Sequence, residues 1–181
     1  MAHQNAIFEE FSPGIAVRKE AASRSTRKPL YTPEQRVLRD NTKWTLVQGI
    51  LAPIQLLVFL ISLGLVLRAL LTGQGAEIAA ASILAKTLIL YTIMITGAIW
   101  EKVVFDKYLF AEAFYWEDVF SMLVIALHTA WLACWYFGLG TPTEQLLIAL
   151  AAYATYIINA TQFLLKLRAA RLDMAAADAA A

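Results

Sequence analysis

Three acids stand out in this sequence: Glu101 and the adjacent pair Glu117 and Asp118. They flank a connection in which seven aromatics, counting Trp100, are interleaved with seven charges. Carboxyl groups crowded at a low-dielectric boundary oppose one another's ionisation, so one of them can keep a proton near neutral pH. An acid held in that state can act as a general acid. Acids in the first turn of a helix also stabilise its dipole, which accounts for Glu117 and Asp118 without any chemistry. The aromatics between them read as a belt at headgroup level. Trp100, Tyr115 and Trp116 add a second possibility, the wall of a site for a flat, partly apolar ligand.

A further set of polar residues lies inside otherwise apolar stretches. Gln48, Gln55 and Ser62 are spaced by seven, which keeps them on one helical face. Lys86, Thr92 and Thr96 lie on a second stretch, and Ser121 and His128 share nearly the face of Glu117 on a third. Thr155, Asn159, Gln162 and Lys166 form a stripe on a fourth. Such stripes often join helices to one another, the role expected of Ser62, Thr92, Thr96 and Ser121. Gln55, His128 and Asn159 fall at one depth and suggest a small polar cavity. Lys86 is expected to snorkel toward the nearer surface, with a counter-charge for an acidic ligand as the alternative. His128 is the lone histidine in these stretches, so one chain cannot supply bis-histidine haem ligation. It can serve as a single axial ligand, a base or a hydrogen-bonded structural group.

The elements that must position these residues follow from composition. Of 181 residues, 60% are hydrophobic and 16% charged, against about 45–50% and 25% in soluble domains. That excludes disorder and argues against a soluble globule. Net charge is +1, which gives no nucleic-acid footprint, and a single cysteine, Cys134, excludes an internal disulfide or a cysteine-rich metal cluster. Residues 44–67, 119–143 and 145–165 carry no charge, and 78–100 carry only Lys86. Each is long enough to span a bilayer, which takes about 20 apolar residues. The chain therefore reads as an all-α membrane protein of four transmembrane helices, near 44–67, 78–100, 118–137 and 144–165.

Short Gly-rich connections at 72–75 and 138–143 make neighbours antiparallel, in an up-down bundle. Thr143 is expected to cap the fourth helix. Thirteen Lys and Arg fall in residues 1–43, the second connection and the C-terminal end, against Arg68 alone in the opposite loops. That asymmetry puts both termini in the cytoplasm. Residues 1–29 read as a mobile tail that favours anionic headgroups, not a signal peptide. Thr32, Pro33 and Gln35 open a short interfacial helix to Asp40, and the Ala-rich end from 173 is expected to fray.

Read together, several runs resemble the 3-vinyl bacteriochlorophyllide hydratase family, also called 2-vinyl bacteriochlorophyllide hydratase. They are Leu30-Tyr31-Thr32-Pro33-Glu34-Gln35-Arg36, Trp44-Thr45-Leu46-Val47-Gln48-Gly49, Thr96-Gly97-Ala98-Ile99-Trp100-Glu101-Lys102, Tyr108-Leu109-Phe110, Trp116-Glu117-Asp118 through His128-Thr129-Ala130, and Tyr153 through Asn159 to Arg168. The resemblance covers about residues 30–172 as one domain. It implies a hydro-lyase that adds water to the C3 vinyl group of a chlorophyllide or bacteriochlorophyllide, giving a 3-(1-hydroxyethyl) group in bacteriochlorophyll a biosynthesis. The implied setting is the inner membrane of a phototrophic bacterium. Other pigment-biosynthesis enzymes are possible contacts.

Such a reaction needs an acid, a positioned water and an apolar slot, and no cofactor beyond the magnesium the substrate carries. Glu101, Glu117 or Asp118 would be the acid and base. Gln48, Asn159 and Gln162 would orient water or ring carbonyls, Trp100, Tyr115 and Trp116 would stack on the ring, Lys102 or Lys166 would pair with the propionate, and Gln55 is a further substrate-binding candidate. His128 as axial ligand to the substrate magnesium competes with Glu117 as acid. Eleven residues separate them, a helical rise of about 16 Å, too far for one pose. The competing class is a non-enzymatic pigment- or quinone-binding membrane subunit.

Overall fold

The computed structural model describes residues 30–179. The tail expected over 1–29 lies outside them. Five helices follow in order: α1 (Pro33–Asn41), α2 (Lys43–Thr72), α3 (Ala76–Phe105), α4 (Tyr115–Tyr136) and α5 (Pro142–Asp178). Every candidate residue belongs to the unit Tyr31–Lys166; Leu167 onward, grouped apart from it, is the last part of α5.

Helix α1 forms as its residues dictate. Thr32 accepts from the Gln35 amide, Gln35 answers to the Thr32 amide, and Pro33 occupies the first turn. Thr42 then caps α2 by accepting from the Trp44 amide. Pro53 sits within α2 without ending it, and α2 stops at Gly73, whose φ of 68° only glycine adopts freely. Helix α5 is capped by Thr141, not Thr143. The Thr141 hydroxyl accepts from the Glu144 amide, and the Glu144 carboxylate accepts from the Thr141 amide at 2.7 Å. Thr143 lies inside the helix.

The spans also run longer than charge-free lengths indicate. Helix α3 continues through Glu101 and Lys102 to Phe105, where the Ala111 amide and the Asp106 carboxylate offset the cost of their charges. Helix α4 starts at Tyr115, ahead of both its acids. Helix α5 passes 165 and is helical through Asp178.

Four helices, α2 to α5, are long and apolar enough to cross a membrane. Only about a quarter of each apolar window is buried within the protein, between 22% and 28%. Leu57, Leu60, Ile61 and many like them face outward. Soluble monomers rarely expose an apolar surface so continuous, whereas lipid solvates it. The chain is a multi-pass membrane protein. Its core is small: Phe59, Val66, Ile83, Trp131, Ala149 and Tyr153 meet at its centre.

Side-chain bonds fix which levels of α2 and α3 face each other. Trp100 Nε1 donates to Thr45 Oγ1 at 2.9 Å, Gln48 Nε2 donates to Thr96 Oγ1 at 2.8 Å, and the Ser62 and Ser82 hydroxyls bond at 2.7 Å. The same register holds along the length of both helices. It puts Gln55 level with Ile89, about one turn from Lys86.

Candidate active site

The end of α3 and the start of α4 are joined by a loop, 106–114, that folds back over both. Its path depends on two residues with positive φ, Asp106 at 61° and Phe110 at 57°. Neither is glycine, so each costs about 1–2 kcal/mol of backbone energy. The loop is held by carboxylates beneath it. Asp118 Oδ2 accepts from the Phe110 amide at 2.7 Å, and Glu101 Oε2 accepts from the Ala111 amide at 3.4 Å. Phe110 and Ala111 are consecutive, so their amides bring the Glu101 and Asp118 carboxyl groups close to each other.

All three acids are buried: Glu101 is 5%, Glu117 6% and Asp118 2% exposed. They do not share one environment. Glu117 Oε2 accepts from Lys166 Nζ at 2.5 Å, and the same ammonium donates to the Ala113 carbonyl and lies 5.1 Å from the Phe114 ring centre. Glu117 is thus tied to α5 as an ion pair, while Glu101 and Asp118 face each other. The loop end therefore presents two neighbouring units, a carboxyl–carboxyl pair and a salt bridge.

Aromatic side chains close around this end. Trp100, Phe105 and Phe114 meet edge-to-face at 5.7–5.8 Å, Tyr31 stacks on Phe105 at 5.7 Å, and Phe114 stacks on Phe163 at 5.8 Å. Of the aromatics singled out from the sequence, Trp100 belongs to this cluster. Tyr115 and Trp116 do not: they are 47% and 67% exposed and pack on each other outside it. Tyr31, Phe105, Phe114 and Phe163 were not singled out as site residues. Phe105 and Phe114 sit in the aromatic run, but only the loop path shows which of its rings turn inward.

The remaining candidates divide by level. Lys102 Nζ donates to Asp106 Oδ1 at 2.6 Å and is partly exposed. That ammonium holds the Asp106 carboxyl below its ordinary range. Gln48 is engaged with Thr96. Asn159 Nδ2 donates to Ser121 Oγ at 2.8 Å, while Asn159 Oδ1 and Gln162 Oε1 are buried without a hydrogen-bond partner among the described residues. Gln55 and His128 lie deeper, 2% and 0% exposed. Lys86 joins them. Far from snorkelling, it is fully buried with Nζ 4.0 Å from the Tyr156 ring centre. The inward turn follows from the ring faces of Tyr153 and Tyr156, which attract a cation.

Residues 31–169 match the family model described as 2-vinyl bacteriochlorophyllide hydratase. The chain belongs to this family. It is 70% identical to the 2-vinyl bacteriochlorophyllide hydratase of Cereibacter sphaeroides, over 82% of this chain and 92% of that protein. It is 66% identical to the enzyme of the same name from Rhodobacter capsulatus, over 85% of this chain and 90% of that one. No solved structure is similar to it. The family reading made from the Trp-Glu-Lys and Trp-Glu-Asp runs thus holds. Both runs now have a location: each acid lies beneath the loop or against Lys166.

Proposed function

We propose that the chain is a hydro-lyase that hydrates the C3 vinyl group of a bacteriochlorophyllide or chlorophyllide, with the Glu101–Asp118 pair as acid and base. The observation that carries this reading is the placement of these two buried carboxyl groups under consecutive amides of one loop. Two carboxyl groups buried this close together oppose each other's ionisation, so the pair holds one proton between them. The pair therefore contains an acid and a base side by side.

Water addition to an alkene needs both. The protonated partner delivers H⁺ to the terminal vinyl carbon, and the C=C π electrons form the new C–H bond. The cation left on the inner carbon is conjugated with the macrocycle. Water attacks there, a C–O bond forms, and the water's surplus proton returns to the carboxylate partner. The pair ends as it began, and no electron is gained or lost, so the reaction calls for no redox cofactor. The magnesium belongs to the substrate. The two reacting carbons are adjacent, so one pair of carboxyl groups can reach both.

Glu117 is a poorer acid in this scheme, because Lys166 already occupies it. Lys166 is for the same reason less available to the substrate propionate than Lys102, which lies partly exposed at the same end. Trp100 belongs to the aromatic cluster at this end. Tyr115 and Trp116, on the outer surface, meet the macrocycle or the headgroups before the loop does. Because the Phe110 and Ala111 amides cover the pair, the vinyl edge reaches it when loop 106–114 shifts. In the bilayer, α2 to α5 form an up-down bundle with both termini and this loop in the cytoplasm, as the thirteen-to-one distribution of basic residues supports. The membrane is then the inner membrane of the cell, the side from which substrate and water arrive.

Single Glu101→Gln and Glu117→Gln variants, assayed in membranes for the hydroxyethyl product, test the assignment. Turnover is expected to collapse in the first and to survive, reduced, in the second. Full turnover in folded Glu101→Gln ends the acid–base assignment. If the wild-type protein binds the vinyl pigment and releases it unchanged, the alternative of a non-enzymatic pigment-binding subunit takes over.

A further inference from the structure

The polar groups at mid-bundle have no place in the scheme above. Gln55 on α2, Lys86 on α3 and His128 on α4 are 2%, 0% and 0% exposed. Both amide atoms of Gln55, Lys86 Nζ, His128 Nε2 and Trp131 Nε1 are buried without a hydrogen-bond partner among the described residues. A buried polar atom left unpaired costs about 1–3 kcal/mol, and native interiors rarely leave several together. These groups converge on one place. Lys86 Nζ lies 5.5 Å from the Tyr153 ring centre and the His128 ring 5.8 Å from it. Phe59, one turn along α2 from Gln55, packs on Tyr153 at 5.4 Å and on Tyr156 at 4.8 Å.

The kinds of atom left over define what satisfies them. His128 Nδ1 must donate to the Val124 carbonyl, 2.8 Å away, so in the neutral ring Nε2 keeps its lone pair and accepts. Gln55 Oε1 also accepts. Lys86, Gln55 Nε2 and Trp131 Nε1 donate. A metal ion would satisfy His128 and leave the donors idle. A carboxylate would satisfy Lys86 and leave Nε2 idle. A small molecule that both donates and accepts serves all of them, and water is the one at hand.

The unpaired atoms continue toward the acids. Ser121 lies about one turn from Asp118 and two from His128 along α4. Asn159 bonds to it while keeping Oδ1 unpaired, and Gln162 Oε1 follows on the same stripe of α5. We propose that Gln55, Lys86 and His128 hold internal water at the middle of the bundle, and that this water supplies the molecule added to the vinyl group along the Asn159–Gln162 stripe. The supply role rests on the hydratase reading; the water site does not.

The test uses the full-length protein in lipid nanodiscs. X-ray radiolysis generates hydroxyl radicals from bound water in place, whereas peroxide photolysis generates them only in bulk. His128, Trp131 and Tyr153 are expected to be oxidised by radiolysis and spared by photolysis, and Gln55→Leu with His128→Leu to lose the radiolytic signal. Silence at all three residues under radiolysis overturns the water site. Blocking of the signal by added vinyl pigment overturns it too, since the macrocycle would then occupy the place. In the same Leu variants kcat is expected to fall at unchanged pigment affinity. Unchanged kcat with the signal lost overturns the supply role. If instead Glu101→Gln keeps full turnover while labelling is as expected, the acid–base reading fails and the water site stands.

Discussion

Asp118 has two separable tasks, and two substitutions tell them apart. In the proposed scheme it shares a proton with Glu101, and its Oδ2 anchors the Phe110 amide at 2.7 Å. Asp118→Asn keeps a side-chain oxygen for the amide and removes the acid. Asp118→Ala removes both. A hydrogen bond to a charged group contributes about 1.5–3 kcal/mol and a neutral one about 0.5–1.5. Phe110 holds a φ of 57° only because it is tied down, and about 1–2 kcal/mol of strain is released when it opens. In Asp118→Ala the free energy of opening at Phe110 therefore falls by the full bond, and its amide exchanges about ten- to a hundredfold faster. In Asp118→Asn the acceleration stays within about tenfold, while turnover falls about 10²- to 10⁴-fold, the usual contribution of general acid–base catalysis. Hydrogen–deuterium exchange of loop 106–114 and a product assay on the same membranes give both numbers. Unaltered Phe110 exchange in Asp118→Ala would refute the anchor, and full turnover in Asp118→Asn would refute the acid.

Three further outcomes follow. Glu117 and Lys166 are mostly buried, so removing one partner leaves a charge uncompensated: Glu117→Gln is expected to destabilise by about 2 kcal/mol, discounted for the partial exposure of Lys166, and adding Lys166→Met to recover part of it in thermal unfolding in detergent. The shared proton sets the sign of the pH dependence. Turnover declines as rising pH strips the proton from the pair and as falling pH adds a second one, so the pH–rate profile is a bell that loses its alkaline limb in Glu101→Gln with its residual activity. Thr32→Ala removes one half of the capping box of α1 at a cost of about 1 kcal/mol, seen as faster exchange in 33–41 with α2 to α5 unchanged.

Much of the fold is written in the absence of charge. Four apolar stretches give four spans, because hydrocarbon admits little else than helices with internally satisfied backbones. Helix ends are less legible. Glu101, Lys102, Glu117 and Asp118 interrupt the apolar pattern but not the helices, since a loop amide, Asp106 or Lys166 answers each of them. The carboxylates were legible as a group because Glu101 and Glu117–Asp118 bracket one connection. Their division into a pair and a salt bridge was not, because it depends on the amides of Phe110 and Ala111, which carry no side-chain signal. Lys86 shows the limit most clearly. Hydropathy treats it as a lysine near a surface. Two tyrosines on α5, invisible to a reading of α3 alone, turn it inward.

The central claim is that one proton resides between Glu101 and Asp118 and is the proton given to the vinyl carbon. Infrared difference spectroscopy of the protein in membranes reads it directly. A protonated-carboxyl stretch is expected in the resting enzyme, shifted in D₂O, absent in Glu101→Gln and in Asp118→Asn, and still present in Glu117→Gln. A resting enzyme in which both groups are ionised, or whose carboxyl band survives both substitutions, would contradict the account.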